Sequence, residues 1–240
     1  MITSLKNETI KELLKLKQKK YRDETNCFLI EGYHLVEEAL KKGIVKTIIT
    51  CREFEYQDVE VLKVNETVME KLAFTKTPQP IMALCEMKIH QDVDYNQERY
   101  LLLDRLQDPG NVGTILRTAS ALGYKNVLIS KDSVDLYNDK VIRATQGALF
   151  SLNISLVNLK NEIKLLQSKG VKVYATALRN ARVIDEYSRE EKMAFIMGNE
   201  GNGVSDEIID ISDGTIYIPI ETMESLNVGI ASAIVMYQFK

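Results

Sequence analysis

The sequence predicts an α/β protein built on a mostly parallel sheet and preceded by a smaller α/β unit. Three observations carry that expectation. Beyond residue 98, short apolar runs alternate with segments of helical periodicity. The strand cores in that stretch, LLL, FIM and IYI, are continuous rather than alternating, as in strands covered on both faces. Residues 89–99, IHQDVDYNQER, are polar and aperiodic and read as a linker, which divides the chain into domains over 1–92 and 98–240.

Taken in order, residues 4–20 place Leu5, Ile10, Leu13, Leu14 and Leu16 among lysines, the pattern of an amphipathic helix. CFLIEG (27–32) is a short strand. YHLVEEALKKG follows with Leu35, Val36, Ala39 and Leu40 at helical spacing and Gly43 as the stop. VKTIIT (45–50) is β-branched and strand-like. The pattern repeats with VEVLKV (59–64), a helix near 66–73 and PIMALCEMK (80–88). After the linker come YLLLDRL, a helix over 111–122, NVLIS, a helix near 138–149, a strand near 152–157 and a helix over 160–168. The series closes with KVYATAL, AFIMG, a helix over 205–210, TIYIPI and a helix over 225–238.

At 240 residues and 45% apolar content the chain can bury a real core. No apolar run approaches the roughly 20 residues a bilayer crossing needs, and MITSLKNETIKELLKLKQKK lacks the apolar centre of a secretory signal, so a cytoplasmic protein is expected. Cys27, Cys51 and Cys85 are odd in number, scattered and without CxxC spacing, which argues for reduced thiols and against a disulfide frame or zinc site. With only His34 and His90, a histidine-based triad or metal site has little to be built from. The net charge of −3 is uneven: seven Lys or Arg against two Glu give residues 1–22 a charge of +5, leaving −8 for the rest. Lys17, Lys19 and Lys20 belong to this arm. It suits a phosphate-binding arm or a solvated helix face equally well.

Three polar loops follow buried strands: DRLQDPGNVGTILRTASALG (104–123), IMGNEGNGVS (196–205) and IPIETMESLNVGIASAIVMYQ (218–238). Ligands of open α/β sheets sit at the carboxyl ends of strands, so three such loops imply one composite site. In the first, Val112, Ile115, Leu116, Ala119 and Leu122 form an apolar stripe that Gly123 ends. Asn111 and Arg117 lie off that stripe, about 240° apart around the helix. Asn111 fits an N-cap, and Arg117 an ordinary solvated arginine. GNEGNG surrounds Glu200 with Gly198, Gly201 and Gly203, spaced G-x-x-G-x-G. This differs from the dinucleotide fingerprint G-x-G-x-x-G, and no P-loop pattern exists. In the third loop Ser225 reads as an N-cap, whereas Asn227, a weak helix former just inside the helix, reads as a ligand contact.

Together N-x-G-x-x-x-R, G-N-E-G-x-G and S-L-N-V ahead of a small-residue helix resemble the SpoU (TrmH-like) RNA 2′-O-ribose methyltransferases of the SPOUT superfamily. FLIEGYHLVEEALKKG with VKTIIT is similar to that family's RNA-binding domain, a fold shared with small ribosomal proteins. The resemblance implies a homodimer whose C-terminal domain carries a deep trefoil knot, against the general rule for chains, with GIASAIVMYQF as its dimer surface. It also implies S-adenosylmethionine held by Thr176, Ala177, Leu178, Gly198, Asn199, Gly201, Ile218, Ser225 and Leu226, without a metal. Asn111, Arg117, Glu200, Ser225 and Asn227 match the family's catalytic positions, and Arg143 and Thr145, followed by Gly147, match a segment that holds RNA. Gly229, where relatives carry a larger residue, is expected to loosen helix packing.

The implied reaction is methylation of a ribose 2′-hydroxyl, with large-subunit (23S) ribosomal RNA favoured as substrate. Transfer RNA is the alternative, and a non-catalytic RNA-binding or ribosome-assembly protein is the reading from another class. Neutralising Arg117 at pH 7 would cost about 7 kcal/mol, so it is expected to anchor the target nucleotide rather than act as a base. Glu200 and Asn111 are then expected to hold that nucleotide, and Ser225 and Asn227 to shape the site.

Overall fold

The computed structural model describes every residue except 54, 55, 57, 88–91 and 224, so part of the expected linker, and His90, lie outside the described residues. Along the chain the first elements are α1 (Glu8–Lys15), α2 (Lys19–Thr25), β1 (Cys27–Glu31), α3 (Tyr33–Lys41), β2 (Val45–Thr50), β3 (Glu60–Lys63), α4 (Glu66–Leu72) and β4 (Ile81–Glu86). They are followed by β5 (Arg99–Leu103), α5 (Pro109–Ala121), β6 (Asn126–Ser130), α6 (Asp139–Thr145), β7 (Asn153–Val157), α7 (Leu159–Ser168) and β8 (Lys172–Thr176). The series ends with β9 (Arg182–Val183), β10 (Met193–Met197), α8 (Asp206–Ile209), β11 (Gly214–Tyr217) and α9 (Val228–Gln238).

Contacts divide the chain into two compact units, Met1–Lys88 with Asp135–Phe150, and Ile89–Val134 with Ser151–Lys240. Residues 135–150, expected within the second domain, thus cluster with the first unit. The reason is aromatic and ionic. Phe28 of β1 is fully buried with its ring 4.8 Å from Tyr137 and 6.2 Å from Phe150. The buried Arg22 donates to the Leu16 carbonyl at 2.8 Å and pairs with Asp135.

In the first unit the sheet runs β1-β4-β2-β3, with β4 antiparallel to β1 and β2, and β3 parallel to β2. Ile10, Leu13 and Leu16 pack with Val68, Met69 and Leu72 over one part of it. The single helix expected over 4–20 is two. Asn7 starts α1 by accepting from the Ile10 amide, and the chain turns at Leu16–Gln18, where Lys17 is drawn away to the end of α4.

In the second unit seven strands lie in the order β7-β6-β5-β10-β8-β11-β9, every pairing parallel. The two-residue β9 was not expected; it is too short to leave a periodic signal. Leu159, Ile163 and Leu166 of α7 join Ile208 of α8 against Tyr100, Leu102, Val173 and Ile196 of the sheet. The stripe Val112, Ile115, Leu116 and Ala119 of α5 is wholly buried, and α5 packs beside α9. Phe239 stacks on Phe195 at 4.8 Å, and the buried Arg99 donates to the Phe239 carbonyl at 2.7 Å, so an aromatic pair and a charge-assisted cap hold the end of α9. Gly229 tightens this helix pair instead of loosening it. A Cβ there would stand 3.1 Å from Asn227 Oδ1 and 3.4 Å from Thr114 Cγ2, so Gly229 fits closely between the cap side chain and α5.

Candidate active site

Because the seven strands are parallel, the loops that leave β5, β8, β10 and β11 all emerge at one edge of the second unit's sheet. The loop after β10 is the most constrained. Asn199 and Gly203 exchange backbone hydrogen bonds at 3.0 and 2.8 Å, closing a tight turn around Glu200. The Asn199 side chain fills that turn, accepting from the Gly201 and Asn202 amides at 3.0 and 3.1 Å while its own amide donates to the Arg105 carbonyl at 2.8 Å. Gly198 is obligatory here, since a Cβ would lie 2.0 Å from the Val204 nitrogen and 2.1 Å from the Gly203 carbonyl carbon.

Glu200 reaches across to the loop after β5. Its carboxylate accepts from the Gln107 amide at 3.2 Å, the Asp108 amide at 3.0 Å and the Asn111 side chain at 3.2 Å. Burial alone would raise this carboxyl, but its own backbone amide, those of Asp108 and Gln107, and the Asn111 side chain outweigh burial and hold it below the usual carboxylate range. The Asn111 oxygen accepts from Asn227 at 2.9 Å. Two loops and a helix start are therefore joined by one polar chain, Glu200–Asn111–Asn227.

The helix caps differ from expectation. Asp108, not Asn111, caps α5, accepting from the Asn111 amide at 2.7 Å with Pro109 in the first turn. Asn111 thus sits inside the helix with its side chain available to Glu200. Asn227, not Ser225, caps α9, accepting from the Gly229 and Ile230 amides at 2.9 and 3.3 Å. The helix begins at Val228, which leaves Ser225 exposed in the preceding loop.

These loops surround a pocket of about 670 Å³. Thr176, Ala177, Leu178, Gly198, Asn199, Gly201, Ile218, Ser225 and Leu226, the expected cofactor residues, all line it, together with Asn111, Glu200 and Asn227. Aliphatic walls from Ile209, Ile216 and Val228 and a glycine turn exposing backbone groups suit a flat, partly apolar ligand such as a nucleoside, and the volume is that of a small-molecule site. Arg179 and Asp206 also line it, paired with each other at 2.9 Å. Nothing in the sequence spacing marked them, whereas Asp108–Pro109 was a readable start signal.

Arg117 does not join this cluster. It is exposed on α5, outside the pocket lining, and makes no hydrogen bond or ion pair among the described residues. The expected RNA-binding residues lie in the first unit, where the structure sorts them. Lys17 donates to the Lys71 and Ala73 carbonyls at 3.0 and 2.8 Å, closing the C-terminus of α4. Lys19 and Lys20 are exposed and paired with Asp23 at 2.6 Å and Glu24 at 3.8 Å. Arg143 pairs with Asp139 at 2.7 Å on the same helix. Thr145 is fully buried, its hydroxyl donating to the Ile142 carbonyl at 2.7 Å.

A model of the SpoU rRNA Methylase family matches residues 98–237, and a model of the MRM3-like substrate binding domain matches residues 7–83. The chain is 39% identical over 246 residues to the 23S rRNA (guanosine(2553)-2'-O)-methyltransferase RlmP of Bacillus subtilis (strain 168), covering 100% of this chain and 98% of that one. Among solved structures, a putative RNA methyltransferase of the TrmH family from Porphyromonas gingivalis superposes with a TM-score of 0.89 at 30% identity, covering 99% of this chain and 98% of that one. An AdoMet-bound rRNA methyltransferase from Sinorhizobium meliloti gives 0.87 at 32% identity, covering 99% and 95%.

Proposed function

As a chain that belongs to the SpoU rRNA methylase family, the protein is, we propose, an enzyme that methylates a ribose 2′-hydroxyl of 23S ribosomal RNA with S-adenosylmethionine. The observation that carries this reading is the pocket at the carboxyl edge of the sheet, where the glycine turn and the Glu200–Asn111–Asn227 chain meet. Ribosomal RNA is preferred to transfer RNA because the likeness to the 23S enzyme runs the full length of this chain, first unit included.

In this reading Thr176, Ala177, Leu178, Gly198, Asn199, Gly201, Ile218, Ser225 and Leu226 hold the adenosyl part, largely through backbone groups and aliphatic walls. The cofactor supplies an electrophilic methyl on a sulfonium centre. The protein's task is then alignment. Glu200, held ionised, is a weak base and an effective acceptor, so it and Asn111 orient the ribose while Ser225 and Asn227 shape the floor. Arg117, without another partner among the described residues, offers its guanidinium fork to a phosphate of the target strand, and Arg143, Lys19 and Lys20 of the first unit add phosphate affinity of their own. The 2′-hydroxyl proton passes to solvent as the oxygen gains its methyl.

A homodimer is part of the proposal. Ile230, Ile234 and Tyr237, at i, i+4 and i+7 of α9, are 53%, 38% and 63% exposed, an apolar stripe that a second copy would cover. The deep trefoil knot of the superfamily, the ribosomal-protein-like first domain and a cytoplasmic setting complete the reading.

The test is transfer of labelled methyl to unmodified rRNA and tRNA in parallel, with Arg117→Ala beside the wild type. Alkali-resistant label at one ribose of 23S rRNA, lost in the variant, is the expected result; label in tRNA alone would overturn the substrate.

A further inference from the structure

Asp104 is a buried carboxylate to which the reaction just described gives no role. It follows the last residue of β5, and its amide extends the β5–β10 ladder by donating to the Met197 carbonyl at 2.8 Å. Its side chain is 6% exposed. An ionised group placed so deep costs several kcal/mol unless its oxygens are matched. Here the Ser205 amide donates to Oδ2 at 2.9 Å, and the Arg105 guanidinium forks over the pair at 3.2 and 3.3 Å. Arg105 is itself held left-handed, φ +56°, a conformation unusual for a residue with a side chain. That turn aims its carbonyl at the Asn199 amide and its N–H at Ser130 Oγ, both at 2.8 Å.

Segment 104–108 therefore grips the glycine turn at three points. The Arg105 carbonyl holds the entry at Asn199, the amides of Gln107 and Asp108 hold Glu200 in the middle, and Asp104 holds the exit at Ser205. The Asn199–Gly203 bridge makes the turn move as one body, so release at the exit shifts Glu200 and the pocket wall together. We propose that Asp104 is a positioning residue for methyl transfer, setting the glycine turn through the Ser205 amide with Arg105 as counter-charge. An asparagine would not substitute, because its NH₂ would face the Arg105 guanidinium or the Ser205 N–H in place of an acceptor.

This inference rests on reading the pocket as the S-adenosylmethionine site, and the experiment separates the two. Asp104→Asn and Ser205→Pro attack the same bond from either side. Ser205 has φ −64°, which proline adopts, and its side chain makes no cap bond, so the proline removes the donor without straining its own backbone, while its Cδ, standing where the hydrogen was, pushes the Asp104 carboxylate aside. Affinity for S-adenosylhomocysteine by calorimetry, kcat with rRNA and thermal melting are measured for both singles and the double. If wild type binds no S-adenosylhomocysteine, the pocket reading fails. If it binds, each single is expected to weaken affinity about fivefold and lower kcat about tenfold, with melting lowered but still cooperative, and the double to be no worse than the weaker single. Wild-type affinity and kcat in a folded Ser205→Pro, or losses that multiply in the double, would overturn the role of Asp104. Should Asp104→Asn fail to fold, Ser205→Pro alone decides.

Discussion

The amide of Asn227 donates to the side-chain oxygen of Asn111 at 2.9 Å, although 116 residues separate them. The start of α9 fixes the direction of this bond. Asn227 Oδ1 is engaged by two helix amides, so its NH₂ must face Asn111, whose own NH₂ is thereby turned to Glu200. Asn227→Ser keeps an oxygen for the cap but is shorter and lacks the amide nitrogen that reaches Asn111. Its stability should stay within about 0.5 kcal/mol of wild type, while methyl transfer falls tenfold or more. Asn227→Ala should also lose about 1 kcal/mol of stability. Turnover of the serine variant at the wild-type rate would make the link dispensable.

The carboxyl of Glu200 is depressed in the folded protein. Such a group stabilises the fold above its unfolded value, about 4.3, and that contribution disappears as pH falls through the lower folded value. Glu200→Gln should therefore be less stable than wild type at neutral pH, with the gap closing below about pH 4. Denaturant melts across that range check it; a gap independent of pH would mean the loss is steric.

Gly198→Ala forces a methyl into the backbone at 2.0 Å, a clash that no rotamer can relieve. It should cost about 3 kcal/mol or more and abolish cofactor binding. At Gly201 the nearest atom to a new Cβ is Asn199 Oδ1 at 3.7 Å, ordinary contact, so Gly201→Ala should melt near wild type. Equal melting of the two variants would refute the assignment.

Lys17, though exposed, spends its ammonium on the carbonyls that end α4. Burial, and after it the charge of Lys71, lowers its ammonium below the ordinary lysine value. Lys17→Met should destabilise by about 1–2 kcal/mol and leave RNA affinity nearly unchanged once the protein is folded. A filter-binding loss as large as that of a Lys19→Ala/Lys20→Ala pair would return Lys17 to the RNA surface.

Ile234→Lys places a charge in the exposed stripe of α9 without touching the buried Val235 and Met236. Sedimentation at micromolar concentration should show wild type as a dimer and the variant shifted toward monomer. A wild-type monomer would remove the homodimer from the proposal.

Where chemistry is local and periodic, the sequence was legible. Four of the five stripe residues of α5 are fully buried, Leu122 at its C-cap being half-buried, and the three polar loops do converge on one pocket. What escaped was set by single turns and by distant pairs. Asn111 and Ser225 looked like caps, yet Asp108 and Asn227 cap the helices, because a shift of two or three residues in a helix start reassigns the cap while barely changing periodicity. Thr145 looked available to RNA, but its hydroxyl is satisfied by its own helix. The grip of Arg105 on Asn199 spans 94 residues and depends on a left-handed turn, which no pattern in the intervening sequence encodes.

The membership of residues 135–150 in the first unit has a consequence for how the chain comes off a ribosome. A unit that needs Tyr137 and Phe150 around Phe28 cannot finish its interior when residue 88 emerges. It must wait until β5, α5 and β6 of the other unit have been made. The two units are thus interleaved in time, and a fragment cut at the apparent linker would lack Tyr137 and Phe150 beside Phe28.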